Sequence, residues 1–219
     1  ELWGLNNTGQ TGGTADADID APEAWDIETG SEVIVGVIDT GTDWRHEDLA
    51  DNIWQNPGEI PDNGIDDDSN GYIDDVRGWD FVNNDNDPMD GHGHGTHVAG
   101  IVGAKSDSIT GVAPEVSLYG YKVLSDEGWG TNTDIIAAIE KAVDPDGDPL
   151  THDAVDIINM SLGGPGEPDG PLSSAVNSAV DAGVIVVVAA GNSGNYGDIN
   201  TSSPANAAKA ITVASSTKG

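Results

Sequence analysis

No cysteine occurs among the 219 residues. Disulfides, thiol nucleophiles and thiolate metal sites are therefore excluded. Cations are nearly as scarce: Lys and Arg total 7 against 39 Asp and Glu, for a formal net charge of −32. A polyanion of this strength repels phosphate backbones and anionic lipid, which argues against nucleic acid and membrane as partners. No apolar run approaches the ~20 residues of a membrane-spanning helix. The opening Glu1-Leu2-Trp3-Gly4 has neither the basic nor the apolar region of a signal peptide, which a mature secreted chain would have lost. Aromatics make up only 5% of the chain. Val, Ile and Ala are nevertheless plentiful and grouped into runs, as a folded domain with a substantial core requires.

Those runs alternate in kind. Val33 to Ile38, Val116 to Val123, Ala154 to Met160, Val184 to Ala190 and Ala210 to Ala214 read as buried strands. Val184 to Ala190 is apolar enough to require cover on both faces. Between the strands lie helical patterns: a short one near Pro22 to Ile27, then Thr96 to Ala104, Thr133 to Val143, and Pro171 to Ala182 with Gly183 as its stop. Strand–helix alternation with uniformly apolar strands predicts an α/β fold, a parallel β-sheet flanked by helices in three layers. Functional groups in such sheets gather beyond the carboxyl ends of the strands. Asp39, Ser161 and Asn192 fall there. Residues 56–91 are dense in Asp, Asn and Gly with little periodicity, and read as a long insertion held by ligands more than by a core.

Three segments could do chemistry. In Val37-Ile38-Asp39-Thr40-Gly41 a carboxylate follows a buried strand and needs partners to stay ionised; an ordinary turn or helix cap explains it equally well alone. In His94-Gly95-Thr96-His97-Val98-Ala99-Gly100 an imidazole at a helix start has room to exchange a proton at one nitrogen while a carboxylate holds the other. A satisfied structural histidine is the bland alternative, and His92, His94 and His97 also form an H-x-H-x-x-H cluster of the kind zinc takes. In Ala189-Ala190-Gly191-Asn192-Ser193-Gly194 an asparagine in a glycine-rich turn can aim its amide at a developing oxyanion, or simply serve the turn.

Taken together and in this order, with Ser161-Leu162-Gly163-Gly164 between the last two, these segments resemble the subtilisin-like serine proteases (subtilases). The resemblance runs from about Leu2 to the end of the sequence. It implies that residues 1–219 are one incomplete peptidase domain. It further implies that Asp39 orients the imidazole, that His94 is general base and then acid, and that Asn192 is an oxyanion-hole donor. Ser161, Leu162, Gly163 and Gly164 would pair with the substrate backbone as an added strand. The implied activity is serine endopeptidase chemistry on polypeptide substrates, secreted to the cell exterior, with an inhibitory propeptide as a further partner. One departure is large. The family's nucleophile lies in a Gly-Thr-Ser-Met-Ala segment that does not occur here, and Ser193, Ser202 and Ser203 stand in other contexts. The isolated chain is therefore expected to be inactive, with the C-terminal part of the same domain as its missing partner. Two other readings are a non-catalytic peptide- or calcium-binding scaffold, against which the joint presence of Asp39, His94 and Asn192 argues, and a zinc hydrolase built on the histidines.

Within the acidic segment, Asp66, Asp68, Asn70 and Gly71 form D-x-D-x-N-G, the start of an EF-hand-like calcium loop. Arg77 stands where a bidentate Glu would complete it. Asp62, Asp66, Asp68 and Asn70 are the expected ligands, with Asp74 or Asp75 completing the shell, since so many adjacent carboxylates would otherwise repel one another. The resemblance adds Asp48 as the ligand of a second calcium site.

Overall fold

In the computed structural model, residues 4–10, 12–147, 153–192 and 201–215 are described. Six strands form one sheet: β1 Ile34–Asp39, β2 Gly78–Asp80, β3 Ser117–Lys122, β4 Ile157–Met160, β5 Ile185–Ala189 and β6 Ile211–Val213. Their order is β2-β3-β1-β4-β5-β6, and every pairing is parallel. The helices are α1 Ala21–Trp25, α2 His94–Gly103, α3 Asn132–Val143 and α4 Pro171–Asp181. Among the described residues no helix is long and apolar enough to cross a membrane.

The two-residue period of β1 assigns its side chains to two cores. Ile38 joins Tyr119, Tyr121, Ile158 and Val186 beneath α3 and α4, which contribute Ile135, Ala138, Ile139, Leu172 and Val176. Val35 and Val37 point the other way, with Leu118, onto Val98 and Ala99 of α2. Helices thus cover both faces of the central strands, as the apolar runs predict. Local chemistry starts each helix. The Thr131 hydroxyl oxygen accepts from the Asp134 amide at 3.2 Å at the head of α3. Pro171 opens α4, where its missing N–H costs nothing.

Two expectations need correcting. Val184 to Ala190 does not have both faces covered: Val186 and Val188 are buried, but Ile185 is 48% exposed and, on β6, Ile211 and Val213 are each 53% exposed. Nothing among the described residues packs over that side of the β5–β6 edge. The segment 56–91 is also not simply ligand-held, because Gly78–Asp80 is a sheet strand paired with β3. Its Val76 and Trp79 belong to the buried interior. Three residues are too few to show a period.

Candidate active site

β1 is flanked by β3 and β4, so its last residue, Asp39, lies at the carboxyl end of the middle of the sheet and is fully buried. Its Oδ1 accepts from the Thr40 amide at 2.7 Å and lies 2.7 Å from Nδ1 of His94. That contact places the ring proton on Nδ1 and leaves Nε2 as the acceptor. The His94 side chain is 44% exposed, so the pair spans from core to cleft.

The sequence dictates this approach through small residues. A Cβ at Gly95 would sit 2.1 Å from the Gly41 carbonyl oxygen and 3.1 Å from the Asp39 Cβ. Only glycine lets the first turn of α2 descend onto the β1 loop. Gly41, at φ +110°, has its own close neighbour, since a Cβ there would lie 2.5 Å from the Pro88 oxygen.

Two residues that sequence reasoning missed hold this junction. Asp90 accepts from the amides of His92, Gly93 and Thr96 and from the hydroxyls of Thr96 (2.7 Å) and Thr40 (2.9 Å). The Thr40 hydroxyl oxygen in turn accepts from the Gly95 amide. Burial pushes the Asp90 carboxyl up, but the hydrogen bonds from Thr96, Gly93 and Thr40 outweigh it and hold the group below its ordinary value. Lys122, buried beside the same loop, donates to the Thr40 carbonyl and to Asp126, each at 2.7 Å. Its ammonium keeps Asp126 below the usual carboxylate range. The signal for Asp90 was an acidic residue four positions before a helix-starting histidine. Lys122 carried none, because a lysine ending a strand normally reaches solvent.

A cleft of about 520 Å³ opens over the pair, lined by His92, His94, Leu124, Trp129, Asn192 and the Ser161–Gly164 segment, among others. Asn192 is exposed there, just after Gly191 at φ +95°. Ser161, Leu162 and Gly163 continue out of β4 without strand structure, and Gly164 exchanges two 2.9 Å backbone hydrogen bonds with Ser203. The structure thus brings His94, backed by buried Asp39, together with Asn192 and residues 161–164 at one cleft. Ser203 is buried, with its hydroxyl 3.2 Å from that of Ser173. Neither Ser202 nor Ser203 is hydrogen-bonded to His94 among the described residues, and Ser193 lies outside them. The three histidines do not converge on a zinc site. His94 faces this cleft, whereas His97, one turn along α2, faces a separate cavity that also borders His46 and Asp48.

Of the acidic residues expected as ligands, Asp68 and Asp75 come together, joined by Glu59. Ligand atoms of Glu59, Asp68 and Asp75 lie within 4.8 Å of one another, with Glu59 and Asp75 buried. Asp66 instead accepts from the amides of Asn70 and Gly71, and Asp74 from those of Asn63 and Gly64. Asn70 donates to Asp68, Asp75 and the Pro145 carbonyl, Asp62 is exposed, and Asp48 stands apart beside His46. One cation serves the cluster: Lys141 Nζ is 2.5 Å from Asp75 Oδ2, both side chains being almost wholly buried. Burial is the main force raising the carboxyl groups of Glu59 and Asp68 above their ordinary values. Three clustered carboxylates with one ammonium fit a hard divalent cation. A further group, Asp144, Asp146 and Asp153, lies across the Pro145 contact.

The fold and site thus define an α/β domain of parallel strands with helices on both faces, in which a buried carboxylate holds a half-exposed imidazole at the carboxyl edge of the sheet. The Subtilase family model matches residues 30–219, and the chain belongs to that family. It is 38% identical over 200 residues to thermitase of Thermoactinomyces vulgaris, covering 90% of this chain and 60% of that protein. It is 41% identical over 174 residues to subtilisin DY of Bacillus licheniformis, covering 78% and 52%. The match to minor extracellular protease Vpr of Bacillus subtilis (strain 168) is 37% over 206 residues, covering 89% and 22%. The chain therefore spans no more than about 60% of these curated relatives. The crystal structure of a cold adapted subtilisin-like serine proteinase superposes with a TM-score of 0.68 at 32% identity, over 99% of this chain and 65% of that one.

Proposed function

We propose that the chain is the larger part of a serine endopeptidase domain that hydrolyses peptide bonds through an acyl-enzyme. The 2.7 Å contact between His94 Nδ1 and buried Asp39 is the observation that carries this reading. Asp39 fixes the tautomer, and His94 Nε2 takes the proton of an attacking serine hydroxyl and returns it to the leaving amine. Asn192 donates to the oxyanion, and the Ser161–Gly164 segment receives the substrate backbone as an added strand. The serine belongs to residues outside this sequence, so the isolated chain forms no ester and is inactive. Those same residues complete the domain. The enzyme works outside the cell, a placement that suits the lack of cysteine and is in keeping with an extracellular relative. Its substrates are polypeptides, and an inhibitory propeptide occupies the same cleft.

Calcium is the cofactor of the acidic segment, in a structural role. Glu59, Asp68 and Asp75 are the groups best arranged to hold it; with it bound, the ion supplies the positive charge that Lys141 alone does not. Asp62, Asp66, Asn70 and Asp74 shape the surrounding loop, and Asp48 belongs to a second candidate position.

Two measurements test these readings. The protein from its native source, treated with a fluorophosphonate probe, is expected to carry one adduct on a mass above 22.4 kDa, and a His94→Ala variant to carry none. A 22.4 kDa species without adduct would overturn the protease reading. For calcium, melting after exhaustive chelation and again in millimolar calcium should show a clear rise in Tm, and an unchanged Tm would remove the ion from the account.

A further inference from the structure

Lys122 is 3% exposed at the end of β3, an unusual place for an ammonium. The strand period that sets Leu118 against α2 puts Lys122 on the same face. Burial there costs solvation that an apolar side chain of similar volume would not lose. The pair with Asp126 offsets little of that cost, because the Asp126 side chain is 60% exposed and water competes for it. The other acceptor of Lys122 Nζ is the Thr40 carbonyl, at 2.7 Å and in the interior. What the lysine holds is therefore Thr40.

Thr40 is where the two halves of the site meet. Its amide donates to Asp39 Oδ1 at 2.7 Å. Its hydroxyl donates to Asp90 and accepts from the Gly95 amide, each at 2.9 Å, and its carbonyl accepts from Lys122. Among the described residues, the side-chain hydrogen bonds of Asp39 all end on Oδ1, from the Thr40 amide and from His94. A rotation of the Thr40 backbone would remove one of the two contacts that aim Asp39 at His94. Asp126 closes the frame from the other side. It accepts from the Gly91 amide, and it lies so close over Gly91 that a Cβ there would sit 2.3 Å from its Oδ2. Lys122 and Asp126 thus bracket the β1 loop at Thr40 and, at Gly91, the turn that leads into α2. We propose that Lys122, with Asp126 as its counter-ion, is a positioning residue of the proton-transferring pair: its ammonium fixes the Thr40 peptide, and so the amide that aims Asp39 Oδ1 at His94 Nδ1. This rests on the reading of Asp39 and His94 as that pair, but not on the serine or on bound substrate.

The test uses the chain itself, labelled with ¹⁵N, and needs no turnover. The downfield His94 Nδ1 proton, assigned by its loss in His94→Ala, reports the contact with Asp39, and its exchange with water reports how firmly that contact is held. In Lys122→Met the proton is expected to exchange about 10-fold or more faster, or to vanish, as loss of a charged donor to a buried carbonyl implies. Asp126→Asn should speed exchange in the same direction. Lys141→Met removes a similarly buried ammonium, the one paired with Asp75, and should lower Tm while leaving the exchange of the His94 proton unchanged. Unchanged exchange in Lys122→Met would overturn the proposal and leave the pair intact; should that variant not fold, unchanged exchange in Asp126→Asn would overturn it equally. An equal acceleration in Lys141→Met would assign the effect to general loosening and also overturn the proposal. Absence of the downfield proton from the parent would overturn the pair, and the proposal with it.

Discussion

Replacing Lys141 by Met isolates the electrostatics of the acidic segment. Lys141 Nζ lies 2.5 Å from Asp75 Oδ2, with side-chain exposures of 1% and 0%. It also donates to the Pro145 carbonyl at 3.1 Å and stands 4.2 Å from the Tyr72 ring centroid. Met keeps most of the volume and removes the charge, leaving the Asp75 carboxylate buried beside Glu59 and Asp68. Breaking a buried pair in this way costs about 3–5 kcal/mol. For a chain of this length that corresponds to a fall in Tm of roughly 6–20 °C. Chemical and thermal unfolding followed by circular dichroism would measure it, in chelator and in millimolar calcium. The loss should be larger in chelator, because a divalent ion at the cluster supplies the missing positive charge. The double variant Lys141→Met with Asp75→Asn should recover much of the stability, since removing both charges leaves neither uncompensated. A single variant within about 1 kcal/mol of the parent in both buffers would refute the reasoning, because nothing that cheap matches the removal of a buried cation's partner.

Without metal, the raised carboxyl groups of Glu59 and Asp68 should make stability fall as pH rises. Their contribution is complete below the unfolded values near 4 and is lost through the higher folded values, so urea midpoints should decline across that window in chelator and flatten in calcium. Asp90 has the opposite sign: its depressed folded value contributes stability above the unfolded one that disappears as acid is added, and Asp90→Ala should blunt that acid limb. The same variant removes acceptors from three amides at the start of α2 and should cost about 0.5–2 kcal/mol in denaturant unfolding. Gly95→Ala forces a methyl to 2.1 Å from the Gly41 oxygen. A cost of about 1–3 kcal/mol is expected, together with loss of the downfield His94 Nδ1 proton signal; an unchanged spectrum would contradict the close approach.

The sheet was legible because each of its longer strands carries a mostly apolar run, set apart from the next by a helical pattern. Asp39, His94 and Asn192 drew attention through the ordered resemblance of their segments to the subtilases, each segment alone fitting an ordinary turn or a structural histidine, and Gly41 and Gly95 prove to mark places where backbones nearly touch. β2 was hidden because three residues bear no period. Lys122 and Lys141 were hidden because burial of a lysine depends on partners far away in sequence, Thr40 and Asp75. The metal cluster was half visible. The acidic pattern drew attention to Asp66 and Asp74, which satisfy backbone amides, as well as to Asp68 and Asp75, whereas Glu59 enters only through the way the loop closes. Spacing alone does not distinguish a carboxylate that turns inward to cap its own loop from one that faces its neighbours.

The scarcity of cations has a consequence for how copies of the chain meet one another. The seven Lys and Arg residues are few enough to follow one by one. Lys122 and Lys141 are buried within the folded domain. Arg77 is partly covered, with its guanidinium 4.5 Å from the Trp44 ring centroid, and Lys209 is paired with Asp181. Arg45 and Lys105, with side chains 66% and 48% exposed, stay at the surface but are far outnumbered by carboxylates, so an acidic exterior keeps two molecules apart. The composition that makes the domain a strong polyanion thus also opposes its self-association.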